Sequence, residues 1–176
     1  MKRLIALLMA AALLLTASLA FAQEIVLTEL EDGCQITLTA DDDVAVLFNG
    51  QDLPAGFVRV IASRSGAASV LINIQPDELL EGISMADLSD ENIEIMKDQI
   101  TQQYEDAIVE TKVTEAGNTY LYVQSNEESD IRSCITLYEG FMIELIQARD
   151  DFGALSEADE AFARDILQGI WIVEAE

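Results

Sequence analysis

Ile131-Arg132-Ser133-Cys134-Ile135-Thr136-Leu137-Tyr138-Glu139-Gly140-Phe141-Met142-Ile143-Glu144-Leu145-Ile146-Gln147-Ala148 is the stretch that decides the fold. Two runs rich in β-branched, aromatic and aliphatic residues flank the dipeptide Glu139-Gly140, a connection short enough only for an antiparallel hairpin. Upstream, Ala107 to Thr114 and Thr119 to Ser125 read as two more strands, joined through Gly117-Asn118. Glu127-Glu128-Ser129-Asp130 links the second of them to Ile131. Four strands in series with short polar connections predict an antiparallel meander.

Further toward the N-terminus the same grammar recurs. Glu24 to Leu30 and Cys34 to Thr39 alternate around Asp32-Gly33, a strong two-residue hairpin signal. Phe57 to Ala62 and Ser69 to Ile74 flank Ser65-Gly66, which predicts another hairpin. Val44 to Phe48 fits either a short strand or a helical turn. Near-continuous apolar runs in Ser69 to Ile74 and Phe141 to Ile146 predict a sheet centre buried on both faces.

Two segments break the β pattern. After Pro76, Ser89-Asp90-Glu91-Asn92 opens a helix: Ser89 is a good N-cap, and the acids behind it sit where the helix dipole favours negative charge. Ile93, Met96, Ile100 and Tyr104 then recur at three- and four-residue spacing and mark one apolar face. Near the C-terminus, Ser156-Glu157-Ala158-Asp159 resembles a capping box, with Ala158, Phe162, Ile166 and Ile170 as the buried stripe and Trp171 as a core or edge anchor near the helix end. The fold class expected is α+β, an antiparallel β-sheet covered by two main helices in an α/β/α sandwich.

The N-terminal segment belongs to a different logic. Met1-Lys2-Arg3, an apolar run from Leu4 through Leu19 and the small-x-small triplet Ala20-Phe21-Ala22 follow the order of a secretory signal peptide. Residues 1–22 are therefore expected to be removed, leaving residues 23–176 as one globular α+β domain, secreted or periplasmic. The chain carries nine Lys and Arg against 33 Asp and Glu, a formal charge of −24. Losing Lys2 and Arg3 with the leader lowers it by two, to −26. Such a charge repels phosphate backbones and anionic lipid headgroups, so nucleic acid and membrane surfaces are poor partners. Cations, basic proteins and neutral ligands stay open, alongside simple solubility.

The order of these elements also carries a resemblance. An exported start, hairpins, a central amphipathic helix after a Pro, a meander and a closing helix at Phe162-Ala163-Arg164-Asp165-Ile166-Leu167-Gln168-Gly169-Ile170 look like the PsbP-like α/β/α sandwich superfamily, across most of residues 34 to 172. The Pro-x-x-Trp opening of many such proteins is absent; Leu53-Pro54-Ala55-Gly56-Phe57 is a distant substitute. Known members mostly bind partners and do not catalyse, so the resemblance implies a binding or accessory role with a protein or small ligand outside the cytoplasm. No functional residue carries over.

Composition narrows the chemistry further. With no histidine in the chain, Ser-His-Asp and Cys-His catalysis and His-based zinc sites are excluded in their usual forms. Cys34 and Cys134 stand too far apart in sequence for a CxxC site. They form either a disulfide, closing a loop of about 100 residues and stabilising by about 4 to 5 kcal/mol in the chain-entropy model, or two buried thiols. A carboxylate pair could hydrolyse glycosides unaided, but few aromatics are available to line a sugar cleft. Calcium is the more specific cofactor expectation: Asp41, Asp42 and Asp43 gather hard oxygen ligands in one loop, as does Glu127-Glu128-Ser129-Asp130. Neither matches the EF-hand spacing, and solvated acids in surface turns, or an N-cap at Asp43, explain them better than a bound ion does.

Overall fold

The computed structural model describes residues 22–29, 34–49, 53–54, 56–77, 80–104, 107–124, 131–149 and 154–174. Ten strands and two α-helices occupy them: β1 Gln23–Glu29, β2 Cys34–Ala40, β3 Ala45–Phe48, β4 Val58–Ser63, β5 Val70–Pro76, α1 Asp90–Gln103, β6 Ile108–Val113, β7 Thr119–Gln124, β8 Ile131–Tyr138, β9 Phe141–Ala148, α2 Glu157–Gln168 and β10 Ile170–Glu174. The class is α+β. Seven strands form one antiparallel sheet in the order β3-β4-β5-β9-β8-β7-β6, and β1-β2-β10 form a second, smaller one.

The meander is present with its four strands within a residue or two of the expected bounds. Its tightest turn explains itself: Glu139 and Gly140 both adopt positive φ, 49° and 88°, as the twist of a two-residue hairpin demands. Tyr138 thereby pairs with Phe141, and the register continues to Ile131 opposite Ala148. The Val44 to Phe48 segment is resolved in favour of a strand, β3, paired to β4. The turn Asp32-Gly33 lies outside the described residues, although β1 and β2 pair antiparallel on either side of it.

The closing helix departs from its expected form. Ser156 caps it, accepting from the Asp159 amide, but the buried stripe is Asp159, Phe162, Ala163, Ile166 and Leu167, and Ala158 faces solvent. The helix is also shorter than the apolar pattern suggests. It stops at Gly169, and Ile170 and Trp171 start β10, where Trp171 pairs with Thr37 of β2. The stop has a steric cause: a Cβ on Gly169 would lie 2.1 Å from the Thr39 carbonyl oxygen, so only glycine lets the chain pass β2 this closely. The Gly169 carbonyl accepts from the Thr39 amide at 2.7 Å, which fixes the crossing.

Side chains on one face of the large sheet, including Val60, Ile72, Ile74, Ile143 and Leu145, merge with Ile36 and Leu38 of β2 and with Phe162 and Ile166 of α2 into the main core. That face is thus covered jointly by α2 and the small sheet, not by a helix alone. The opposite face carries a smaller cluster, Met85, Leu121 and Leu137, against which Ile93, Met96 and Ile100 of α1 pack. The expectation of a sheet centre buried on both faces fails here. Along β5 and β9 buried residues alternate with half-buried ones, because α1 covers its face only in part.

Candidate functional site

A short 3-10 turn at Met85–Asp87 delivers the chain to α1, whose N-cap Ser89 accepts from the Asn92 amide as its sequence position required. The helix then lays Ile93, Met96 and Ile100 on the sheet, but none of its described side chains is buried. Toward its C-terminal end, contact with the sheet gives way to a groove of 510 Å³ between α1 and strands β7, β8 and β9. A volume of this size falls within the roughly 300 to 1,000 Å³ usual for ligand sites. Met96, Ile100 and Tyr104 form the helix wall, and Val123, Ile131, Ile135, Met142 and Ile146 form the floor. Tyr104 and Ile131 remain half exposed, at 50% and 51%.

Four polar residues punctuate this apolar lining: Gln99, Gln103, Ser133 and Glu144. Glu144 is the one carboxylate among the described lining residues. It stands in the middle of a central strand, opposite Asn73 on β5 and Ile135 on β8. Asn73 donates to Glu144 Oε2 at 3.3 Å and accepts at its Oδ1 from Arg59 Nε at 2.8 Å. The row Arg59, Asn73, Glu144 therefore crosses three adjacent strands on the open face, with the amide standing between cation and carboxylate. No Lys or Arg among the described residues lies within ion-pair distance of Glu144.

The covered face handles its polar groups differently. Asp159 is fully buried and accepts from the Ala68 amide at 2.7 Å, the Ser156 amide at 2.7 Å and hydroxyl at 2.8 Å, and Arg149 Nη1 at 3.1 Å. Burial alone would push its carboxyl up, but these donors outweigh it and hold the pKa at about 2. Gln147 completes the arrangement, its amide donating to the Ala68 and Asp159 carbonyls. These contacts cap α2 through Ser156 and tie it to Ala68 in the β4–β5 connection and to Gln147 and Arg149 at the end of β9, which is a structural role.

A second polar cluster lies beside it, around a cavity of 50 Å³ lined by Lys112, Tyr122, Arg132, Cys134, Glu160 and Arg164 among others. Tyr122 donates to Glu160 Oε1 at 2.9 Å, Arg132 Nη1 pairs with the same oxygen, and Lys112 Nζ sits 3.6 Å from the centre of the Tyr122 ring. Burial and the hydrogen bond to Glu160 raise the Tyr122 phenol well above its usual value. Such a cavity holds no more than a water or two.

Cys134 is a free, buried thiol on β8. Burial pushes its pKa up to about 12, outweighing the lowering by Lys112, so the thiolate needed for nucleophilic or metal chemistry is not formed near neutral pH. Of the two arrangements expected for Cys34 and Cys134, a disulfide or two buried thiols, the structure describes Cys134 alone, as a free buried thiol; the Cys34 side chain lies outside the described residues. Asp41 and Asp43 straddle Arg64, with Asp41 Oδ2 2.7 Å from Nη2 and Asp43 Oδ1 3.1 Å from Nε. The guanidinium also lies over the Phe162 ring at 5.0 Å. The Asp41, Asp42, Asp43 loop thus meets a protein cation, and no group of three or more metal-ligating side chains occurs among the described residues. Glu127-Glu128-Ser129-Asp130 lies outside them.

Apolar patterning alone does not announce the groove, yet the sequence carries one signal of it. Glu144 interrupts the apolar run Phe141 to Ile146 at the centre of the sheet, and Asn73 does the same in β5. Polar residues at facing positions of two central strands mark a face that is not fully covered.

No family model matches the chain, and no curated protein does. Among solved structures it is similar to the cyanobacterial PsbP (CyanoP) of Synechocystis sp. PCC 6803, at 12% identity and a TM-score of 0.45, over 89% of this chain and 96% of that one.

Proposed function

We propose that this chain is an exported, acidic binding or accessory domain whose ligand site is the groove between α1 and the β7–β9 surface. The observation that carries this reading is the 510 Å³ apolar groove left open by a helix with no buried residue, on a sheet whose other face is tightly covered. The leader-like residues 1–22 and the net charge support export and solubility, and no described helix is long and apolar enough to cross a membrane. An arrangement of the PsbP-like α/β/α type, with α1 and α2 on opposite faces of the large sheet, fits the two separate clusters that the helices join.

Binding is favoured over hydrolysis by the lining itself. Glycoside hydrolysis needs two facing carboxylates about 5 to 10 Å apart, and Glu144 has no second carboxylate with it among the described groove residues. A calcium site at Asp41, Asp42 and Asp43 would have to displace Arg64 from two of its three members.

The reading is tested with a neutral apolar reporter such as N-phenylnaphthylamine, whose fluorescence rises on leaving water. The purified protein should bind it at one site. The substitution Ser133→Trp, which places an indole in the groove, should abolish that binding while thermal melting stays within a few degrees. Reporter binding that survives in the variant, or no binding by the parent protein, contradicts the groove as a ligand site.

A further inference from the structure

We propose that the groove takes a cationic amphipathic peptide segment from another protein, its apolar side chains on the β7–β9 floor and a Lys or Arg against Glu144; this rests on the groove being the ligand site. The lining sets the first condition. Met96, Ile100, Ile135 and Ile146 offer nothing to a charged or strongly hydrated ligand, so the part in contact with them must be apolar. The second condition comes from Glu144, which accepts one hydrogen bond from Asn73 and meets no cation within ion-pair distance among the described residues. A carboxylate beside apolar side chains is compensated best by a charge of opposite sign that arrives with the ligand.

The third condition separates a peptide from a small amphiphile. The chain carries a formal charge of −24, and attraction by a protein-wide field grows with the charge of the incoming body. A segment bearing several Lys or Arg residues is steered more strongly than a single ammonium group. Gln99, Gln103 and Ser133 add donors and acceptors beside the apolar lining, where a peptide backbone could be hydrogen-bonded. Helix-in-groove and strand recognition both combine apolar anchors with polar contacts in this way. An anionic amphiphile such as a fatty acid meets the opposite: a carboxylate in the groove and a repelling field around it.

Fluorescence anisotropy on the purified protein tests the assignment with a fluorescein-labelled amphipathic Leu/Lys peptide, a Leu/Glu peptide of the same pattern and a Ser/Lys peptide of the same charge. The Leu/Lys peptide should bind at least about tenfold more tightly than either control. Glu144→Gln should weaken it roughly five- to tenfold while thermal melting stays within a few degrees of the parent. Equal binding of the Leu/Glu or Ser/Lys peptide, or unchanged affinity in Glu144→Gln, overturns the proposal and leaves the neutral-ligand groove standing. Dodecyltrimethylammonium binding as tightly as the Leu/Lys peptide assigns the site to a small cation and also overturns it. A dimer of the protein alone that Ser133→Trp disperses assigns the face to a second copy and overturns it as well. Failure of the neutral reporter itself brings down the groove reading instead.

Discussion

The two faces of the seven-stranded sheet are made by the same strands and treated in opposite ways. On β9, Ile143, Leu145 and Gln147 point to the side covered by α2 and the small sheet, and all three are buried. Their neighbours Met142, Glu144 and Ile146 point to the α1 side and line a groove. Charges follow the same division. On the covered face Asp159 is surrounded by donors that lower its pKa to about 2, whereas on the open face Glu144 is left with one amide. Stability is concentrated on the first face, and the groove proposed as the ligand site lies on the second.

Adjacent residues on β9 give the sharpest way to break this contrast. Leu145→Ala should cost about 2 to 5 kcal/mol, the usual range for a buried leucine. Ile146→Ala, one position along and half-buried, should cost about 1 kcal/mol. Urea unfolding of both variants checks this, and equal losses would erase the distinction between the faces.

A loss somewhat smaller than that of Leu145→Ala is expected from Asp159→Asn, about 2 to 3 kcal/mol, since the amide cannot accept from all its donors and loses the charge. The accompanying pH dependence has a definite sign. The folded pKa of about 2 lies below the unfolded value of 3.8, so the contribution is complete above about pH 4 and disappears as pH falls toward 2. Acid unfolding of the parent protein should therefore steepen in that window, and the Asn variant should lack the step.

Gly169→Ala tests how closely the covering layer fits. Its methyl would meet the Thr39 carbonyl, so a loss of about 1 to 3 kcal/mol is expected by thermal melting, with the β2–β10 pairing the part disturbed. The smallest effect belongs to the open face. Glu144→Leu should leave stability unchanged or raise it by up to about 1 kcal/mol, because an uncompensated carboxylate among apolar groups is exchanged for a side chain that fits them. A clear loss in denaturant midpoint would make Glu144 a structural residue and remove the reason for seeing it as a binding one.

Much of the covered face is legible in the sequence. Alternation and the dipeptide Glu139-Gly140 locate the meander, and Ser89 and Ser156 locate both helix starts, because these signals are local. What escapes a sequence reading depends on contacts far apart in the chain. Gly169 ends α2 because Thr39 lies against it, more than a hundred residues away, and Asp159 replaces Ala158 in the buried stripe because the Ala68 amide needs an acceptor. The groove is hidden for a similar reason: the apolar positions of α1 announce a packed face, but not that packing stops short of Tyr104. The aspartates at 41 to 43 suggest a cation site by composition, and Arg64, from another loop, is the cation that Asp41 and Asp43 meet.

The central claim, that ligand enters on the α1 side of the sheet, is tested most directly by methyl NMR of the isoleucine- and methionine-labelled protein titrated with the Leu/Lys peptide. Signals of Met96, Ile100, Ile135, Met142 and Ile146 should shift together and saturate, while those of Ile36, Ile72, Ile143 and Ile166 stay in place. Shifts confined to the second set, or spread over the β1-β2-β10 sheet with the groove methyls unmoved, would contradict it.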